Sequence, residues 1–290
     1  MSETNLTTLK KIIHFPVIKM LIGIASVAGS VALIEWAGRS LLETRFSDEL
    51  KNLVLAIVES VVAAYVYFTL FKIYEQRSIT ELSRKSFFKH ASRGFSSGFL
   101  LQTLFIFILY LAGGYRVIAI NPVSFLLPAF TTALSAGFVA EILIRGIAFR
   151  LTEESLGTPI SVLIFAVLFA LFHLNAPGAT IFSVIATALQ AGLLLSSAYV
   201  LTRSLWFPIF LHFAWDFTEP GIYGAINPGN SVTESFISSV VGGPVSLSSG
   251  EMGPQNSMQS IIICLATSLL FLWIAKRRNN FIRPFWNRNA

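Results

Sequence analysis

Apolar residues run along the chain in eight stretches, near 16–38, 52–74, 96–113, 122–149, 159–174, 180–201, 204–217 and 257–275. They are too long and too continuous for barrel strands, and in lipid only helices or closed barrels satisfy the backbone, so each is expected to be a helix. About 20 residues cross the hydrocarbon core. The pattern therefore predicts an all-α, polytopic membrane helix bundle of about eight transmembrane helices, with 1–290 a single membrane domain. The runs 159–174 and 204–217 are short for a full span, which predicts tilt, a thin local bilayer or ends buried in protein. The first run is too long for a signal-peptide core and lacks a convincing cleavage site, so it is read as a retained span.

Two polar stretches interrupt this pattern. Residues 75–95, EQRSITELSRKSFFKHASRGF, are basic with scattered apolar positions, which predicts an interfacial helix among lipid headgroups. Residues 218–256 are rich in Gly, Ser and Pro and contain no Lys or Arg, which predicts an extramembrane loop. Lys and Arg collect on the cytoplasmic side of short loops. Placing the N-terminus inside puts Lys10, Lys11, Arg77, Arg84, Lys85, Lys89, Arg93, Arg203, Lys276, Arg277 and Arg278 in the cytoplasm. The 218–256 loop then lies outside, and an even number of spans leaves both termini cytoplasmic in a cell membrane.

Composition agrees with burial in lipid: 54% of residues are hydrophobic and 12% charged, against about a quarter charged in soluble domains, and the mean hydropathy is +0.70. The net charge of +6 sits at the edges of apolar runs, so anionic membrane lipid is the expected partner and nucleic acid is not. The single cysteine, Cys264, lies inside the last run and excludes an intramolecular disulfide.

Ionisable groups at membrane depth cost about 3 kcal/mol each on insertion scales, so each calls for a partner or a function. The informative ones are Glu141, Arg145, His173, His212 and Asp216. Glu141 and Arg145 are four apart on one helical face, where an ion pair near a helix end is the ordinary explanation. His212 and Asp216 share a face in the same way, and Phe169 precedes His173 by four. Glu35 and Glu59 each stand alone, and His14 and His90 fall in basic juxtamembrane stretches where solvation explains them. Distributed over three nearby helices, the first set can share one polar pocket. Such a pocket has the parts to activate water, with a carboxylate as base and imidazoles as oxyanion donors. The same groups could hold a zinc-like ion, and spacing does not choose. HExxH, GxGD and GxSG are absent, which removes three other intramembrane protease chemistries.

Ala140-Glu141-Ile142-Leu143-Ile144-Arg145, Phe169-Ala170-Leu171-Phe172-His173 and His212-Phe213-Ala214-Trp215-Asp216 resemble, in order, the EExxxR, FxxxH and HxxxN/D signatures of the CPBP family. These are intramembrane proteases similar to the type II CAAX prenyl endopeptidases. The resemblance covers about 124–218 as a protease core. It implies an endopeptidase acting on a peptide or membrane-protein substrate, prenylated substrates included. It makes His173 a partner of the water-activating glutamate, and His212 with Asp216 the oxyanion pair or part of a metal site. It implies catalytic Glu141, His173, His212 and Asp216, supported by Arg145 and Phe169, with His173, His212 and Asp216 as ligands if a divalent metal such as zinc is used. Ala140 departs from the family, standing where the first glutamate and usual general base is found. A non-catalytic scaffold or chaperone is the alternative, and a proton-coupled transporter a more distant one, for which no internal repeat speaks.

Overall fold

The computed structural model describes residues 15–42, 46–172, 174, 181–225, 234–248 and 253–287. The first helices are α1 (Pro16–Leu42), α2 (Asp48–Tyr74) and α3 (Phe87–Leu111), then α4 (Leu127–Glu141), which continues as a π-helical stretch, Ile142–Phe149, into α5 (Arg150–Leu156). There follow α6 (Thr158–Phe172), α7 (Ile181–Thr187), π-helical Ala188–Gly192, α8 (Leu193–Thr202), α9 (Trp206–Phe217) with π-helical Thr218–Ile222, the short α10 (Val245–Ser248) and α11 (Met258–Arg277).

All eight apolar runs contain helix. Among the described residues five helical stretches are long and apolar enough to cross a membrane: Pro16–Leu42, Asp48–Tyr74, Arg84–Leu111, Val123–Leu156 and Met258–Arg277. The other three runs form shorter or π-interrupted helices. Local chemistry sets several ends. The Ser47 side chain caps α2 by accepting from the Leu50 N–H, with Asp48 and Glu49 in the first turn, where a helix favours acids. Gly157, at φ 80°, ends α5 in a conformation a Cβ disfavours.

Helix α9 is the axis of the site, packed between α3 and α4. A Cβ on Gly98 would lie 2.5 Å from the Leu211 carbonyl oxygen, and one on Gly137 3.0 Å from the Phe213 nitrogen. Small residues thus let the backbones approach, as membrane helix packing requires. Large apolar side chains such as Leu21, Leu33, Val61, Leu100, Leu163 and Leu269 remain exposed on the outer faces, as expected of a lipid-facing surface.

Three expectations change. Residues 75–83 are not helical, and from Phe87 the basic segment is already the start of α3. Ion pairs tie the 75–83 stretch down. Arg77 donates to Glu75 at 2.6 Å and to Glu81 at 2.7 and 3.0 Å, and Arg150 reaches Glu75 at 3.0 Å. The 218–256 region is not wholly loop: β2 (Ile237–Val241) pairs antiparallel with β1 (Tyr115–Ile120), registering Tyr115 with Val241. Glu35 and Glu59 do not stand alone. Their carboxyl groups hydrogen-bond to each other, Glu35 pairs with Arg39, and Ser135 donates to Glu59 at 2.7 Å. The Glu35–Arg39 pair has i,i+4 spacing within α1, but spacing could not reveal the contacts of Glu59 because they form between helices.

Candidate active site

Glu141 closes α4, and the π-helical stretch that follows carries Arg145. Both side chains are 0% exposed, and Arg145 Nη1 donates to Glu141 Oε1 at 2.9 Å. The i,i+4 pairing expected from the sequence is present, but it is buried inside the bundle. Arg145 Nη2 also donates to the Gly192 carbonyl at 3.3 Å, and the Phe169 ring lies 5.1 Å from the guanidinium carbon. The cation is thus held by a carboxylate, a carbonyl and an aromatic face, the three partners that make a buried guanidinium tolerable.

From the facing helix α9, His212 Nδ1 lies 2.9 Å from the same Glu141 Oε1, and its Nε2 lies 3.3 Å from Asp216 Oδ2. The doubly protonated ring is the form that satisfies both contacts as a donor. The His212 side chain is 12% exposed and that of Asp216 36%, so the pocket opens at the Asp216 end. Phe169 packs edge-on to His212, with ring centroids 6.3 Å apart. Glu141, Arg145, Phe169, His212 and Asp216 therefore come together from α4, α6 and α9. His173 lies outside the described residues.

Two buried polar atoms at this site have no hydrogen-bond partner among the described residues, Glu141 Oε2 and Arg145 Nε. Among the described residues Glu141 thus binds Arg145 and His212 through one oxygen only. An unsatisfied buried polar atom is costly and calls for an explanation, such as a catalytic role or a bound water.

The structure adds residues that the sequence pattern had not singled out. Three π-helical stretches adjoin the site: one carries Arg145, one ends at Gly192, and one follows Asp216 and carries Glu219. Such insertions recur at functional sites because they re-aim side chains. Glu219 is buried, accepts from Gln102 Nε2 at 3.2 Å and from the Gln255 N–H at 3.3 Å, and lies one turn past Asp216. A signal for it existed in that spacing, but the Gly- and Pro-rich sequence beyond Phe217 reads as loop.

Of the expected metal set His173, His212 and Asp216, only the last two are described. Both nitrogens of His212 face carboxylates, so this arrangement presents no imidazole lone pair to a cation. Among the described residues no group of three His, Cys, Asp or Glu side chains is placed to hold a metal. The described donors do not fit a divalent metal as they stand.

Residues 122–218 match the family model described as Rce1-like: Type II CAAX prenyl endopeptidase Rce1-like. The match takes in Glu141, Arg145, Phe169, His173, His212 and Asp216. No curated protein and no solved structure matches the chain.

Proposed function

We propose that this chain, an integral membrane protein carrying an Rce1-like type II CAAX prenyl endopeptidase domain at residues 122–218, acts on peptide bonds of membrane-associated substrates, prenylated ones included. The observation that carries this reading is the single oxygen, Glu141 Oε1, shared by Arg145 Nη1 and His212 Nδ1 at 2.9 Å each. It fixes a carboxylate and an imidazole from two helices in one buried pocket.

Hydrolysis there requires three linked transfers. The water oxygen bonds to the carbonyl carbon while a base takes one water proton. The carbonyl oxygen is held as it gains charge, and the amine nitrogen receives a proton as the C–N bond breaks. Arg145, itself anchored by donating to the Gly192 carbonyl, holds Glu141 in place. His212 is the donor nearest the open end. On substrate entry its Nε2–H can turn from the partly exposed Asp216 to the carbonyl oxygen, while the contact of Nδ1 with Glu141 Oε1 keeps the ring oriented. Glu141 Oε2 is the carboxylate oxygen left to accept the water proton, and once protonated the same carboxyl is the source for the leaving amine.

The second reading, a peptide-binding scaffold that cuts poorly or not at all, is favoured by Ala140. The resemblance puts the general base at that position, and a methyl group accepts no proton. Adjacent helical residues point about 100° apart, so Glu141 covers a different direction from a glutamate at 140. A membrane-anchored fluorogenic peptide in proteoliposomes, incubated with and without chelator, tests both readings. Under the scaffold reading the unmodified chain is slow or silent and Ala140→Glu raises turnover by at least about the 10²-fold of a positioned base. A measurable rate that Ala140→Glu leaves unchanged would assign the base to Glu141 and dismiss the scaffold. Loss of that rate with chelator would bring back a divalent metal such as zinc as cofactor. No cleavage by either form would sink the endopeptidase reading.

The placement proposed is a cell membrane with both termini cytoplasmic. The basic groups of 84–93 and 276–278 support it, although Arg77 and Arg203 are tied in ion pairs with glutamates.

A further inference from the structure

At the end of the bundle away from Asp216, Lys89 and Arg93 on α3 and Arg278 just past α11 stand around a recess of about 320 Å³. His90 lines it too, and Phe207 and Ile274 give it an apolar wall. No carboxylate lines the recess. Among the described residues none of these three cations forms an ion pair, whereas Arg77, Arg145, Arg150 and Arg203 each pair with a glutamate. The His90 Nδ1 atom is buried with no partner among the described residues.

Basic residues at loop ends are the ordinary signature of a cytoplasmic side, but that signature asks only for position in sequence. It does not require two helices far apart in the chain to bring their cations to one concave spot. Like charges gathered around one recess repel, and an anion seated among them removes that cost. Guanidinium forks match the oxygens of a phosphate, and an apolar wall beside them suits the glycerol and upper acyl chain of a lipid. On α11, which supplies Ile274 to the recess, Trp273, Leu270 and Leu269 are exposed, a surface on which such a chain can lie.

We propose that this recess is a phosphate-binding site, separate from the candidate active site, and that the phosphodiester of an anionic membrane lipid is its occupant. Native mass spectrometry of the whole protein released from micelles containing phosphatidylglycerol or phosphatidylcholine tests this. The unmodified chain is expected to retain phosphatidylglycerol in preference to phosphatidylcholine. The combined change Lys89→Gln, Arg93→Gln and Arg278→Gln should weaken that retention roughly a hundredfold, since each cation beside an anionic headgroup contributes about a fivefold factor. The charge-matched change Arg84→Gln, Lys85→Gln and Lys276→Gln, outside the recess, should weaken it less than about threefold because such diffuse charge is screened. Displacement of the lipid by millimolar inorganic phosphate would keep the phosphate site and assign its occupant to a soluble phosphate. Equal weakening by the two triple changes would overturn the site. So would equal retention of the two lipids by the unmodified chain, a comparison that stands even if a variant fails to fold.

Discussion

Replacing Glu141 by Gln removes the only carboxylate that, among the described residues, pairs with the 0% exposed guanidinium of Arg145. An exposed i,i+4 pair of this kind contributes about 0.3–0.5 kcal/mol, and interhelical hydrogen bonds in membranes average about 0.6. Breaking a buried pair is different, because the orphaned charge cannot reach water, and costs about 3–5 kcal/mol. His212 Nδ1 loses a charged acceptor in the same step, adding about 1–3 kcal/mol. Glu141→Gln and Arg145→Met should therefore each destabilise the fold by at least about 3 kcal/mol. The double variant, which leaves neither charge behind, should lie within about 2 kcal/mol of the unmodified chain, since neutral replacement of a buried pair is often nearly free. The assay is a double-mutant cycle on reversible unfolding in mixed detergent and SDS micelles. A coupling energy of about 3 kcal/mol or more is the expected result. A coupling below about 1 kcal/mol would refute the reasoning, because it would mean that the pair behaves like a solvated surface contact.

Acid should loosen the 75–83 stretch. Burial alone would raise the Glu75 and Glu81 carboxyls, but Arg150 and Arg77 at Glu75, and Arg77 and Tyr67 at Glu81, reverse this and hold both below the usual carboxylate range. A folded value below the unfolded one contributes stability that is present above about pH 4.3 and is lost as pH falls through the folded values. The unfolding midpoint should drop over that acid window, and Arg77→Gln should flatten the drop; an unchanged slope in Arg77→Gln would remove these carboxylates as its cause. For orientation, reporter fusions at the C-terminus should be active only in the cytoplasmic form and those between β2 and α11 only in the external form, and the reverse pattern would overturn the proposed topology.

The sequence alone determined that the chain is a bundle of membrane helices, because its apolar runs leave the backbone no other way to satisfy its hydrogen bonds in lipid. It also marked Glu141, Arg145, His212 and Asp216, since an ionisable group inside an apolar run stands out by its insertion cost, and spacing of four places such groups on one face. What it could not determine was which faces meet. The contact of His212 with Glu141 joins residues 71 apart in the chain, and it depends on α9 lying against α4 at Gly137. The Glu35 and Glu59 contact, the pairing of β1 with β2, and the gathering of Lys89, Arg93 and Arg278 are of the same kind. The π-helical stretches beside the site were likewise hidden, because an inserted residue leaves composition and hydropathy unchanged while turning every later side chain to a new direction. Periodicity reports which side of a helix is polar, but only packing of backbone against backbone decides which other polar side it finds.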